Sequence, residues 1–115
     1  MIFKDERQRP LYNERADGTL RNVLHILDYY SLLISNKDIV VTEFWREERA
    51  GRLSFHPIFQ AADIRTKRRS QEWIKKMIGM LIVLKEDDSR IQFEYEDVGG
   101  NNEHLHIEID TGNPV

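Results

Sequence analysis

The sequence predicts an α+β fold: a mostly antiparallel sheet of about four strands with helices packed on one face. Three observations carry that prediction. Ile91, Phe93 and Tyr95 alternate with Gln92, Glu94 and Glu96, the period of a half-buried strand. Glu103-His104-Leu105-His106-Ile107-Glu108-Ile109-Asp110 alternates again after the turn-rich Val98-Gly99-Gly100-Asn101-Asn102, which predicts an antiparallel hairpin. Before it, Trp73, Ile74, Met77, Ile78, Leu81 and Leu84 form a broad apolar face at helical spacing. With one helix and two strands upstream, the order becomes helix, strand, strand, helix, strand, strand, which packs helices on one sheet face and leaves the other free.

Residues 1–18 carry no clear period and read as an extended lead-in ending at an Asp17-Gly18 turn. Leu20, Val23, Leu24, Leu27, Ser31 and Ile34 then recur at helical spacing, with Asp17 or Thr19 as the N-cap. Asn36-Lys37-Asp38 is a turn, and the β-branched and aromatic content of Ile39 to Arg46 predicts a strand. Glu47 to Arg52 is its loop, and Ala61-Ala62-Asp63-Ile64-Arg65 is a short second strand. Thr66 is placed to cap the second helix, which should end near Lys85 before the polar turn Glu86-Asp87-Asp88-Ser89. Residues 111–115 read as a frayed tail. No repeat, low-complexity tract or interior linker divides the chain, and 115 residues predict a single domain.

Composition excludes several functions. With 40% hydrophobic and 32% charged residues the chain reads as soluble and globular. The absence of cysteine excludes disulfides and thiolate metal sites. The net charge is −3 and the pI near 5.8, so no nucleic-acid partner is expected. The one basic run, Arg65-Thr66-Lys67-Arg68-Arg69, lacks interleaved aromatics. It reads as a solvated first helical turn, with the alternative that one or two of its side chains meet an anionic substrate. No stretch is long and apolar enough to span a membrane, and no leader is visible, so the expected location is cytoplasmic as encoded, with delivery by something else if the target is a cell wall.

The chemistry concentrates in His56, Asp63 and His106, with Glu103 and His104 beside the last. Two imidazoles, a carboxylate and a spare acid are what one catalytic zinc needs, since hydrolytic sites use three protein ligands and leave a fourth position to water. On a strand, His104, His106, Glu108 and Asp110 share one face while Leu105, Ile107 and Ile109 face the core. Both histidines then point into one site, and Glu108 and Asp110 read as solvated side chains, with the alternative that either orients a ligand imidazole. His56 and Asp63 are seven apart, about 10.5 Å along a helix or roughly 20 Å along a strand. The chain must reverse between them, and Pro57 keeps His56 extended.

At these residues the chain resembles the zinc D-Ala-D-Ala metallopeptidases, within a superfamily that includes lysostaphin-type peptidases and the hedgehog signalling domain. The first motif of that group is S-x-H-x-x-G-x-A-x-D, and residues 54–63 match it at Ser54, His56, Ala61 and Asp63, with Phe59 where glycine is usual. The second is E-x-x-H, often containing H-x-H, and Glu103-His104-Leu105-His106 fits both, Leu105 replacing a frequent tryptophan. Phe44-Trp45-Arg46 stands where the family carries an arginine on a strand before the first motif.

The resemblance spans about residues 39–110. It implies one Zn²⁺ held by His56, Asp63 and His106, with Glu103 as general base and acid. Arg46 and His104 would stabilise charge on substrate or intermediate. The implied activity is hydrolysis of short peptidoglycan peptides, at a D,D or L,D bond. Two alternatives stay open: a zinc-stabilised binding module without hydrolysis, and a phage-encoded lysis factor with the same chemistry. Oligomeric state is undetermined. His25 reads as structural, Trp45 and Trp73 as core, and Ser54 as a solvated side chain, with the alternative that its hydroxyl holds the loop near His56.

Overall fold

The structure, a computed structural model, describes residues 1–45 and 59–112. Its sheet contains β1 (Ile2–Phe3), β2 (Val40–Glu43), β3 (Ala61–Arg65), β4 (Ile91–Glu96) and β5 (His104–Ile109), in the spatial order β1-β2-β3-β5-β4. All neighbours are antiparallel except β1 with β2. The four expected strands are present, and a fifth comes from the segment expected to be an extended lead-in.

That expectation for residues 1–18 is corrected. They fold into β1, a 3-10 turn at Glu6–Gln8 and helix α1 (Arg9–Arg15). β1 is made by its partner: the Ile2 amide donates to the Ile39 carbonyl and the Lys4 amide to the Val41 carbonyl, both at 2.9 Å. A two-residue strand has no period to read. Pro10 lies in the first turn of α1, where its missing N–H costs nothing. Gln8 then ties this segment to the end of β2, donating to the Trp45 carbonyl (2.9 Å) and accepting from the amides of Phe44 (2.8 Å) and Trp45 (3.2 Å).

Helix α2 (Gly18–Ser35) starts at Asp17, whose carboxylate accepts from the amides of Thr19 and Leu20, so Asp17 is the cap rather than Thr19. It ends at Asn36 in the left-handed conformation, φ 57°. Helix α3 (Gln71–Asp87) runs two residues past Lys85, and its cap corrects a second expectation. Ser70, not Thr66, accepts from the Trp73 amide, at 3.0 Å. Arg65 therefore ends β3 and Thr66–Arg69 form a turn, closed by the Arg69 amide on the Thr66 carbonyl at 3.0 Å. The basic run is not a helical turn.

The apolar faces of α2 and α3 join Val41, Ala62, Ile64, Leu105, Ile107 and Ile109 in one core. Each such valine, leucine or isoleucine side chain contributes about 1.5–3 kcal/mol when fully buried. The two helices also share a buried polar link, in which Trp73 Nε1 donates to Ser31 Oγ (3.0 Å) and that hydroxyl donates to the Lys37 carbonyl (2.6 Å). Both expected tryptophans pack as core or against it, Trp73 buried and Trp45 half-buried beside Phe59.

Candidate metal centre

Register builds the opposite face. Asp63 pairs with His106 across β3 and β5, and His106 pairs with Glu94 across β5 and β4. Directly opposed residues of antiparallel strands point the same way. The next row holds Arg65, His104 and Glu96, and the one on the other side Ala61, Glu108 and Gln92. On β2 the register shifts between Val41, which faces Ile64 in the core, and Glu43, which faces Asp63. Such a bulge adds one residue and re-aims the side chains after it, here turning Glu43 toward the polar row. The Thr42 hydroxyl within it donates to the Asp63 carbonyl at 3.3 Å.

His106 is the centre of this face. Its Nδ1 lies 2.7 Å from Asp63 Oδ1 and its Nε2 2.8 Å from Glu108 Oε1. Burial works against a charged ring, but the hydrogen bonds and charges of Asp63 and Glu108 outweigh it and raise the pKa to about 10. The ring is thus an imidazolium between two carboxylates at neutral pH. Of the two acids read as possible orienting partners, Glu108 occupies that position, while Asp110 is exposed and accepts from the Gly112 amide.

His104 is nearly buried, 8% exposed, beside Asp63 at 6%. Its Nδ1 lies 2.6 Å from the Asn102 carbonyl. A carbonyl only accepts, so Nδ1 carries the proton and Nε2 is turned toward Asp63 Oδ1 (3.7 Å) and Glu96 Oε2 (3.6 Å). His104 therefore turns Nε2 toward the same carboxylate that His106 contacts.

Glu103 has its hydrogen bonds elsewhere. Its carboxylate accepts from the Thr66 hydroxyl at 2.7 Å and from the Gly99 amide at 3.0 Å. The Gly99 amide and the Thr66 hydroxyl hold its pKa below the usual carboxylate range. The loop delivering it is fixed by Asp97, which accepts from the Asn102 amide at 2.8 Å. A Cβ at Gly100 would collide with that same carboxylate.

The structure thus brings together Asp63, His104 and His106, and holds Glu103 on Thr66 and Gly99 instead. His56, Ser54 and Arg46 lie outside the described residues. Among the described residues no group of three or more His, Asp or Glu could hold a metal ion. Asp63 and His106 supply two adjacent donors, one carboxylate and one imidazole, of the types zinc takes. Phe59, where the related motif has glycine, adopts a positive φ of 62°, a conformation that favours glycine. Its ring packs on Phe44 (centroids 5.8 Å apart) and stacks on Trp45 (6.3 Å).

Sequence reasoning missed Glu96, Glu43 and the partnership of Glu103 with Thr66. The alternation of β4 carried the signal for Glu96, since a hairpin that opposes Tyr95 to Leu105 also opposes Glu96 to His104. No helix among the described residues is long and apolar enough to cross a membrane. No protein-family model, curated protein or solved structure matches the chain.

Proposed function

We propose that the chain is a zinc-dependent peptidase that hydrolyses short peptides of the bacterial cell wall, with His56, Asp63 and His106 holding the ion on the sheet face away from the helices. The observation that carries the proposal is the register of β3 on β5, which sets Asp63 against His106 with 2.7 Å between carboxylate and imidazole. The positive φ of Phe59 supports the first motif independently, because a glycine position in that motif keeps glycine-like backbone here.

Zinc in such a site supplies Lewis-acid polarisation of a carbonyl and an acidified water. The chain's own residues do the rest. Glu108 accepts from His106 Nε2 and fixes that ring so that Nδ1 faces Asp63. Glu103, held ionised by Gly99 and Thr66, is in the form that accepts a proton. His104, anchored through Nδ1 on Asn102, offers Nε2 for a hydrogen bond to substrate. Arg46 is assigned the substrate carbonyl or carboxylate.

A second reading, a zinc-stabilised binding module without hydrolysis, is favoured by one observation. Both Glu103 oxygens are hydrogen-bonded to Thr66 and Gly99 rather than to the Asp63–His106 pair. The variant Glu103→Gln separates the readings: as a proton carrier outside the ligand set it should keep zinc content while hydrolysis falls by about two or more orders of magnitude. Loss of zinc would make Glu103 a ligand, and unchanged hydrolysis would remove it from the mechanism.

A further inference from the structure

Beside the metal-centre face, where β3 ends and β5 begins, a pocket of about 290 Å³ is lined by Lys4, Arg65, Lys67 and Arg68 together with Asn101 and Asn102. An adjoining groove of about 760 Å³ shares Lys4, Thr42 and Asn102 with it and reaches Asp63, its walls also carrying Asp5, Glu6, Arg7 and Glu43, so the net positive charge is confined to the first pocket. The pocket therefore adjoins the groove that reaches Asp63.

Its charge is unusual for this chain. With 20 acidic residues against 17 lysines and arginines, most clustered cations should find carboxylates. Among the described residues none of these four does so within ion-pair distance. The single acid lining the pocket, Glu103, already accepts from Thr66 and Gly99. Arg68 is also held in the left-handed region, φ 67°, by the turn after β3, a conformation uncommon for a residue with a Cβ. A pocket of net positive charge of this kind raises the local concentration of anions.

Position narrows the ligand. Arg65 follows Asp63 by two residues and so shares its face of β3, roughly 6.6 Å farther along the strand. An extended peptide advances about 3.3–3.6 Å per residue, so an anion held at Arg65 lies within about two residues of a group bound at Asp63. Four cations against one carboxylate accommodate more than one negative charge. An arginine fork grips carboxylates in two-point fashion, while the lysines add point charge.

We infer that this pocket binds an acidic peptide segment carrying at least two carboxylates, lying within about two residues of the bond the centre cuts. The naming of that segment as substrate rests on the peptidase reading; the binding does not. Titration of the full chain with acetyl-Ala-Glu-Glu, followed by amide chemical shifts, should perturb residues 65–68 and 101–103. The uncharged acetyl-Ala-Gln-Gln amide should not.

Arg65→Gln should weaken acidic-peptide binding about tenfold, the scale of one charged hydrogen bond, and Lys67→Gln with Arg68→Gln should weaken it further. The exposed Lys75→Gln on α3 should have no effect. Because Lys67 and Arg68 sit in an exposed turn, their double variant reads the pocket even if Arg65→Gln perturbs folding. Equal binding of the neutral peptide, shifts elsewhere, insensitivity to both variants, or inorganic phosphate binding as tightly as the peptide would each overturn the inference. Specific acidic-peptide binding without any hydrolysis would leave the pocket standing and remove the peptidase reading. Hydrolysis indifferent to substrate charge and to both variants would do the reverse.

Discussion

Replacing Thr66 by valine tests the anchoring of Glu103 against the cap that the sequence alone suggests. The Thr66 side chain is buried, and its hydroxyl donates to Glu103 Oε2 at 2.7 Å. A hydrogen bond to a charged group contributes about 1.5–3 kcal/mol. Glu103 is only half-buried, so water replaces part of the loss and about 1 kcal/mol is expected at pH 7. For a chain of this length that is about 4 °C in Tm.

The pH dependence is the sharper part of this test. The folded-state pKa of Glu103 is depressed, so its contribution is present above the unfolded value, about 4.3, and lost as pH falls through the folded value. Urea unfolding followed by circular dichroism should therefore show a penalty of about 1 kcal/mol at pH 7 that shrinks toward zero as pH falls through the depressed folded-state value. A cap on α3 would be lost equally at both ends of that range. A pH-independent penalty, or none at pH 7, would refute the anchoring of Glu103 by Thr66.

The same face carries other expectations. Metal-free protein should lose stability as pH rises from about 6.5 through about 10, because the raised pKa of His106 stabilises the fold fully below its unfolded value. His106→Gln should abolish that loss, as followed by thermal midpoints across the pH range. Zinc uptake at pH 7 should release about one proton, since His106 must deprotonate to serve as a ligand; calorimetry in buffers of different ionisation enthalpy measures it. Chelator should lower the thermal midpoint of zinc-loaded protein without unfolding it at room temperature, because the helix faces retain a core of their own.

Local, periodic features were legible in the sequence. Alternation in 91–96 and 104–109 placed the hairpin and both histidines on one face, and the spacing from Leu20 to Ser31 and from Trp73 to Leu81 selected the buried helix faces. Partnerships across many residues were not legible. The sequence places the cap at Thr66, but Thr66 gives its hydroxyl to Glu103, 37 residues away, and Ser70 caps the helix instead. β1 exists because β2 offers it an edge. The bulge at Thr42 turns Glu43 toward Asp63 although no alternation in 39–46 announces it. At the site, the residue types were legible, but the pairing of Asp63 with His106 and the choice of Glu108 over Asp110 depend on strand register.

The central claim is tested most directly by incubating zinc-loaded protein with purified cell-wall peptides and identifying the products by mass spectrometry, beside chelated protein and Asp63→Ala. The account predicts cleavage at one defined peptide bond that requires zinc and is lost in both controls. Intact peptides after prolonged incubation with protein carrying a full equivalent of zinc, or cleavage that survives chelation and the loss of Asp63, would contradict it.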